Sequence, residues 1–328
     1  MIRLPLRHYI KLMRPHQWYK NFLVYLAILF VDVHVDISVG GPLPAVLNIA
    51  NYIPLTLGFF AFCAVSSAGY IFNDIKDIEE DAVHPEKKNR PLPSGEAQRG
   101  TAVLLAIALM ASGLTLSYFL NGLFFLMVLF YILNSQTYNY FLRKYAVIDV
   151  VSIGIGFIIR AVSGTFLVGV PFTSWLILGV FFMALVLGFG KRKNELMLLG
   201  EDAGSHKAVF NQYNMTFLDQ AVNMSATWFV IFYTLYVYQN FSPYFDTQPV
   251  LLTIPIVAAL TLRYVFLIYI GHPAARKPHL AITDRGMLAG LILFAVVLAI
   301  TVLRWGNESV WTMLFNFFRD LFPNYPLA

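Results

Sequence analysis

Residues 73–95 read NDIKDIEEDAVHPEKKNRPLPSG, and ten of these twenty-three positions are charged in a chain where only 12% are. Apolar runs flank the stretch, near 52–72 and 101–119. Across all 328 residues 58% are hydrophobic and the mean hydropathy is +0.66, whereas soluble domains carry roughly a quarter charged residues. A charge in hydrocarbon costs about 2.5–3.5 kcal/mol on insertion scales, so charges this scarce and this clustered mark a polytopic membrane protein. Further apolar runs of spanning length lie near 18–31, 122–141, 147–168, 174–190, 222–240, 250–270 and 286–304. The expected fold is all-α, with nine transmembrane helices. No cleavable signal peptide is expected, because the first twenty residues carry five Lys or Arg and no apolar core. The single cysteine, Cys63, excludes an intrachain disulfide.

The cations sort by connection. Arg3, Arg7, Lys11, Arg14 and Lys20 precede or open the first run, and Lys76, Lys87, Lys88, Arg90 and Arg99 lie between the second and third. Arg143 and Lys144 follow the fourth, Lys191, Arg192, Lys193 and Lys207 the sixth, and Arg276, Lys277 and Arg285 the eighth. The connections after the first, third, fifth and seventh runs hold none. The positive-inside bias then places the N-terminus and every charged connection in the cytoplasm, within an inner membrane. The net charge of +5 is spent on topology, and no nucleic-acid partner is expected. Residues 306–328 form a separate C-terminal interfacial segment, outside the transmembrane domain of residues 1–305.

Topology does not explain the acids, which contribute little to orientation. Asp74, Asp77, Asp81, Asp149, Glu195 and Asp284 all sit near the same span ends as the cations. If the second helix continues past Asn73, Asp74, Asp77 and Asp81 fall within about 60° of one another around its axis. Three carboxylates on one face repel, and the arrangement asks for a cation. Hard oxygen ligands favour Mg²⁺, which binds carboxylates together with substrate phosphates. The alternative is a solvated salt-bridge network, pairing Lys76 with Glu80 or Glu79 with Lys88. Lys87, Lys88 and Arg90 suit the phosphate oxygens that a metal leaves uncovered.

The motif N-D-x-x-D-x-x-x-D of Asn73–Asp81, followed by K-N-R-P-L-P-S-G of Lys88–Gly95, resembles the first aspartate-rich motif and basic loop of the UbiA superfamily of intramembrane prenyltransferases. R-P-H-Q-W-Y-K-N, Arg14–Asn21, resembles that family's N-terminal signature. The resemblance extends over the whole chain. It implies nine helices around a central cavity beneath a cytoplasmic cap, a Mg²⁺-diphosphate held by Asp74, Asp77 and Asp81, and a tyrosine and a basic residue against the diphosphate. Tyr138 or Tyr140, with Lys144, answers to that last pair.

One departure is informative. Where the superfamily carries a second aspartate-rich motif, this chain reads G-K-R-K-N-E, Gly190–Glu195. Lys191 and Glu195 are i, i+4 neighbours and Arg192 and Glu195 are i, i+3, so a helix-end ion pair is one reading and direct contact with anionic oxygens the other. The sequence is similar to one branch of the superfamily, the decaprenyl-phosphate phosphoribosyltransferases. That branch implies transfer from 5-phosphoribosyl 1-diphosphate to a polyprenyl phosphate, with Lys191, Arg192 and Glu195 joining the three aspartates as catalytic residues. Asn73, Lys20, Lys88, Arg90, Tyr138, Lys144 and Arg285 are then the substrate-binding candidates, and a homo-oligomer is implied. No strong general base is needed, so His16 and His84 require no role. Arg160 is either structural or site-facing, and Arg263 is unassigned. The enzymatic alternative is transfer of a prenyl group from its diphosphate to an aromatic or other acceptor. An organic-anion transporter fits less well, for want of repeated halves or midplane charges.

Overall fold

The computed structural model describes residues 6–30, 49–83, 87–170, 172–200, 204, 207–241, 249–302, 304–305, 308–309, 316–317 and 319–321. The expected interfacial segment at 306–328 and His84 lie for the most part or wholly outside them. Each apolar run expected as a span falls on a helical segment. The described residues form two compact units, one up to Phe30 and from Ile49 to Phe172, the other from Thr173 onward.

The first unit contains α1 (Leu6–Leu12), a 3₁₀ segment (Pro15–Phe30), α2 (Ile49–Lys76), α3 (Ile78–Val83), α4 (Arg99–Leu120), α5 (Gly122–Tyr140) and α6 (Ile148–Val168). Asn121 opens α5 by accepting the Leu123 and Phe124 amides on its side-chain oxygen, an N-cap. Gly169 closes α6 at φ 70°, in the left-handed conformation a C-terminal cap requires.

The first run differs in kind from the others. Sixteen residues of 3₁₀ helix at about 2.0 Å per residue reach roughly 32 Å, where the same number in an α-helix reaches roughly 24 Å. Overwinding therefore stretches a short run to the roughly 30 Å of a hydrocarbon layer. Three residues per turn also put Trp18, Asn21, Val24 and Ala27 in one straight row. Trp18 Nε1 donates to Ser67 Oγ at 3.0 Å, and Asn21, Val24 and Ala27 are buried. Opposite Val24 stands Gly164 of α6, where any Cβ would strike the Val24 carbonyl oxygen.

The polar loop is anchored by its own apolar residues. Leu92 and Ala97 pack with Tyr9 and Leu12 of α1, Ile71 of α2, and Ala102 and Ala106 of α4. Bonds from the Ser94 amide to the Arg90 carbonyl (3.0 Å) and from the Ala97 amide to the Pro91 carbonyl (2.8 Å) fold P-L-P-S-G into a tight turn, with Gly95 at φ 76°.

The second unit contains α7 (Ser174–Leu199), α8 (Met215–Phe241), α9 (Thr253–Tyr269), α10 (Pro273–Arg276) and α11 (Arg285–Val302). Gly190 allows α7 to approach α9: a Cβ there would stand 2.5 Å from Ile268. A two-residue antiparallel pair, Arg304–Trp305 with Glu308–Ser309, is a small exception to the all-α expectation. By length and composition, α2, α4, α6, α7 and Val250–Tyr269 can each cross a membrane. Leu104, Ile107, Tyr118, Phe119, Phe130 and Leu133 are exposed along α4 and α5, a surface suited to lipid and not to water.

Candidate active site

The end of α2 bears the acidic motif. Helical bonding continues across it, from the Asp77 amide to the Asn73 carbonyl (2.9 Å) and from the Asp81 amide to the Asp77 carbonyl (2.8 Å), although the chain turns at Asp77 between α2 and α3. Two of the three carboxylates converge. Arg90 Nη1 lies 3.1 Å from Asp74 Oδ1 and 2.6 Å from Asp81 Oδ2. Arg14 Nη2 reaches the same Asp74 oxygen at 2.5 Å. Asp74 and Asp81 are buried. Asp77 turns instead to Arg143 Nη1, 3.7 Å away.

Arginines thus partner these aspartates, and they come from sequence-distant places. Arg14 lies 60 positions from Asp74 and sits in the left-handed region at φ 51°, with its guanidinium over the Tyr70 ring, 5.1 Å from the centroid. The N-terminal signature therefore has a structural reading: Arg14 serves Asp74, Trp18 serves Ser67, and Asn21 Nδ2 reaches Cys63 Sγ (3.2 Å) and Ser66 Oγ (3.4 Å). Cys63 is buried and free. No spacing rule along the sequence reveals such partners.

Of the other candidates in this unit, Asn73 is half-buried on the last turn of α2, and Lys88 is exposed on the Lys87–Asn89 turn. Lys20 sits near the Tyr19 ring at 5.9 Å. Tyr138 is half-buried on α5 and Lys144 exposed just after it. Tyr140 receives Lys76 over its ring face, 3.9 Å from the centroid, a cation–π contact. Asp149 is buried in the first turn of α6.

Among the described residues, no three His, Cys, Asp or Glu side chains stand together to hold a metal ion. The donor chemistry nevertheless suits a hard cation. Oxygens of Asp74 and Asp81 already close on a single positive nitrogen, the role a divalent ion would take over from Arg90.

The second unit splits K-R-K-N-E between two tasks. Glu195 accepts Arg192 Nη1 at 2.9 Å and Lys207 Nζ at 3.0 Å, with Lys191 Nζ 3.9 Å away. Lys207 joins this group from twelve positions downstream, a residue that motif spacing does not single out. Lys193 faces elsewhere, with its ammonium 2.6 Å from Asp219 and 3.0 Å from the Tyr269 centroid. Arg285, exposed at the start of α11, belongs to neither. Beside it Asp284 caps α11 through the Met287 amide (2.9 Å) and takes a two-pronged bond from Arg263 at 3.0 and 2.7 Å, which accounts for that arginine. The Arg263 bond and the Met287 amide hold the Asp284 carboxyl down at about 2.

Three comparisons extend this geometry. The decaprenyl-phosphate phosphoribosyltransferase of Mycolicibacterium smegmatis is 30% identical over 237 residues, 70% of each chain. The protein of the same name from Corynebacterium glutamicum is 29% identical over 304 residues, 90% of this chain and 87% of that one. A UbiA homologue from Archaeoglobus fulgidus, solved with GPP and Mg²⁺, shares the fold at a TM-score of 0.63 and 19% identity, covering 89% of this chain and 97% of the other. Residues 40–280 match the UbiA prenyltransferase family, and with that match over most of its length the chain belongs to this family.

Proposed function

We propose that the protein transfers 5-phosphoribosyl from 5-phosphoribosyl 1-diphosphate to a polyprenyl phosphate of the decaprenyl type, releasing diphosphate with the help of Mg²⁺. The Glu195 group carries this reading. Three cations around one carboxylate leave a net positive charge suited to phosphate oxygens, whereas a second metal would need carboxylates in that place. The names of the mycobacterial and corynebacterial relatives support the same choice.

Asp74, Asp77 and Asp81 would hold the metal, which when bound neutralises charge building on the departing diphosphate. Arg14, Arg90 and Arg143, relieved of their aspartates, would turn to diphosphate oxygens, with Asn73, Lys20, Lys88, Tyr138, Lys144 and Arg285 as further substrate contacts. Lys191, Arg192 and Lys207 would hold phosphate directly, with Glu195 fixing their spacing. The acceptor is already an anion near neutral pH, so the residues need only orient it and exclude water. Its phosphate oxygen forms the new bond to ribose C1 as the C1–O bond to diphosphate breaks, the electron pair leaving with diphosphate and C1 inverting. The same reading carries nine spans around a central cavity, a cytoplasmic cap, an N-terminus on the cytoplasmic side of the inner membrane, and residues 306–328 as an interfacial segment.

The test is transfer of label from 5-phosphoribosyl 1-diphosphate into the lipid phase by the detergent-solubilised protein, beside a reaction with a polyprenyl diphosphate and 4-hydroxybenzoate. Label entering the lipid, dependent on Mg²⁺ and lost in Asp77→Ala, supports phosphoribosyl transfer. Turnover in the second reaction alone makes the protein a prenyltransferase of the ordinary kind.

A further inference from the structure

Arg160 stands apart from the arginines around the acidic motif. Arg14, Arg90 and Arg143 each face an aspartate, but the bonds of Arg160 are all to neutral groups. Its Nε donates to Asn21 Oδ1 at 2.8 Å, its Nη1 to the Gly156 carbonyl at 3.0 Å, and its Nη2 to the Tyr131 hydroxyl at 2.8 Å. Its guanidinium also lies 4.4 Å from the Tyr131 ring centroid. These contacts fix the position of the group without neutralising it. A guanidinium has five N–H donors, and these bonds engage three. The side chain is 5% exposed on a helix long and apolar enough to span a membrane, where a lone charge is expensive and marks function.

The surroundings say which way the remaining donors are served. The bond to Gly156 turns the guanidinium back one turn toward the start of α6, roughly 12 Å along the helix from Ile148. The place a Cβ would take at Gly156 is 3.7 Å from Arg160 Nη1 and 3.4 Å from the Asn134 amide nitrogen, so glycine keeps the space between two polar groups clear. Tyr70, one turn along α2 from Asp74, carries the Arg14 guanidinium over its ring, 5.1 Å from the centroid. Arg14 and Tyr70 thus stand beside the aspartates at the helix end, and Arg160 is a cation farther along the spanning helices.

We infer that Arg160, held by Asn21, Tyr131 and Gly156, is an anion subsite that receives the phosphate monoester of the acceptor lipid. A phosphate that carries its own prenyl tail is the substrate group that arrives from hydrocarbon, whereas the water-soluble donor meets the aspartates at the helix ends. The identity of the acceptor rests on the phosphoribosyl-transfer reading, but the subsite can be tested apart from it, by binding without donor.

The experiment is titration of the detergent-solubilised full chain with geranylgeranyl phosphate, with geranylgeraniol as the uncharged control, for wild type, Arg160→Gln and Asn21→Asp. Asn21→Asp is the decisive variant, since it keeps the bond to Arg160 and supplies a carboxylate that cancels its charge. Geranylgeranyl phosphate should bind roughly tenfold or more weakly to both variants, geranylgeraniol should bind unchanged, and Asn21→Asp should melt no lower than wild type. In turnover, KM should rise for the lipid phosphate and stay level for 5-phosphoribosyl 1-diphosphate. Unchanged phosphate binding by Asn21→Asp, equal loss of the alcohol and the phosphate, or a rise confined to the donor KM would each overturn the inference. Wild type that binds the lipid phosphate but transfers no phosphoribosyl would sink the functional reading and leave the subsite judged on binding alone.

Discussion

The acidic turn around Asp74 and the group around Glu195 differ in charge balance, since Arg14, Arg90 and Arg143 match the three aspartates of the first. At the first, the Asp74 and Asp81 carboxylates share the single Arg90 nitrogen. At the second, three cations share one carboxylate. The first can take a further cation only where an arginine yields its place, whereas the second keeps an excess of positive charge, and under the proposed reading each would meet a phosphate in its own way. The sharing also makes each site hostage to one residue, Arg90 in one case and Glu195 in the other.

The largest effect is expected from removing the shared cation. Arg90→Ala takes an arginine from the buried Asp81 carboxylate, and should cost about 3 kcal/mol, the low end for such a loss, because Arg14 still serves Asp74. Millimolar Mg²⁺ should restore much of the loss in a thermal melt, and inorganic phosphate should not. Glu195→Gln comes next, at about 1–2 kcal/mol, with the opposite pattern: phosphate restores and Mg²⁺ does not. Rescue of both variants by the same ion would erase the distinction between the two regions. Lys207→Ala should be milder in stability yet raise the donor KM roughly tenfold, read from initial rates with varied 5-phosphoribosyl 1-diphosphate.

The smallest effect is a pH dependence at Asp284, outside both groups. Its carboxyl is held at about 2 against an ordinary 3.8, so the folded state gains from the ionised form. That gain is complete above pH 3.8 and is lost as pH falls toward 2. Wild type and Asp284→Asn should therefore differ in melting temperature at pH 6 and converge as the pH is taken down through this window. Curves that stay parallel would remove the Arg263 pair from the account.

What was legible in the chain was whatever repeats locally. Apolar runs announce helices because each helix must bury or immerse its own surface, and Asn73–Asp81 announces a gathering of acids because the carboxylates lie within nine residues of one another. The arginine partners were not legible. The local pairs Lys76–Glu80 and Glu79–Lys88 were the natural guesses, but Arg14 and Arg143 reach Asp74 and Asp77 only because the 3₁₀ segment and the α5–α6 connection pack beside the end of α2. In K-R-K-N-E, helical spacing correctly put Lys191 and Arg192 near Glu195, while the turn of Lys193 toward Asp219 follows from the packing of α7 on α8. The 3₁₀ winding of Pro15–Phe30 was hidden for a similar reason: a run of apolar residues has the same composition however tightly it is wound.

That winding has a consequence for how the gene can drift. With three residues to a turn, the row Trp18, Asn21, Val24 and Ala27 survives the gain or loss of one whole turn, which is one triplet of residues. A single inserted residue would swing everything beyond it by about 120° and drive a side chain at the glycine of α6. Length changes in this segment should therefore be accepted in threes and purged otherwise, whereas an α-helical span, at 3.6 residues per turn, offers no such whole-number step. A scan of one-, two- and three-residue insertions after Phe22 would read the winding directly from which proteins still fold.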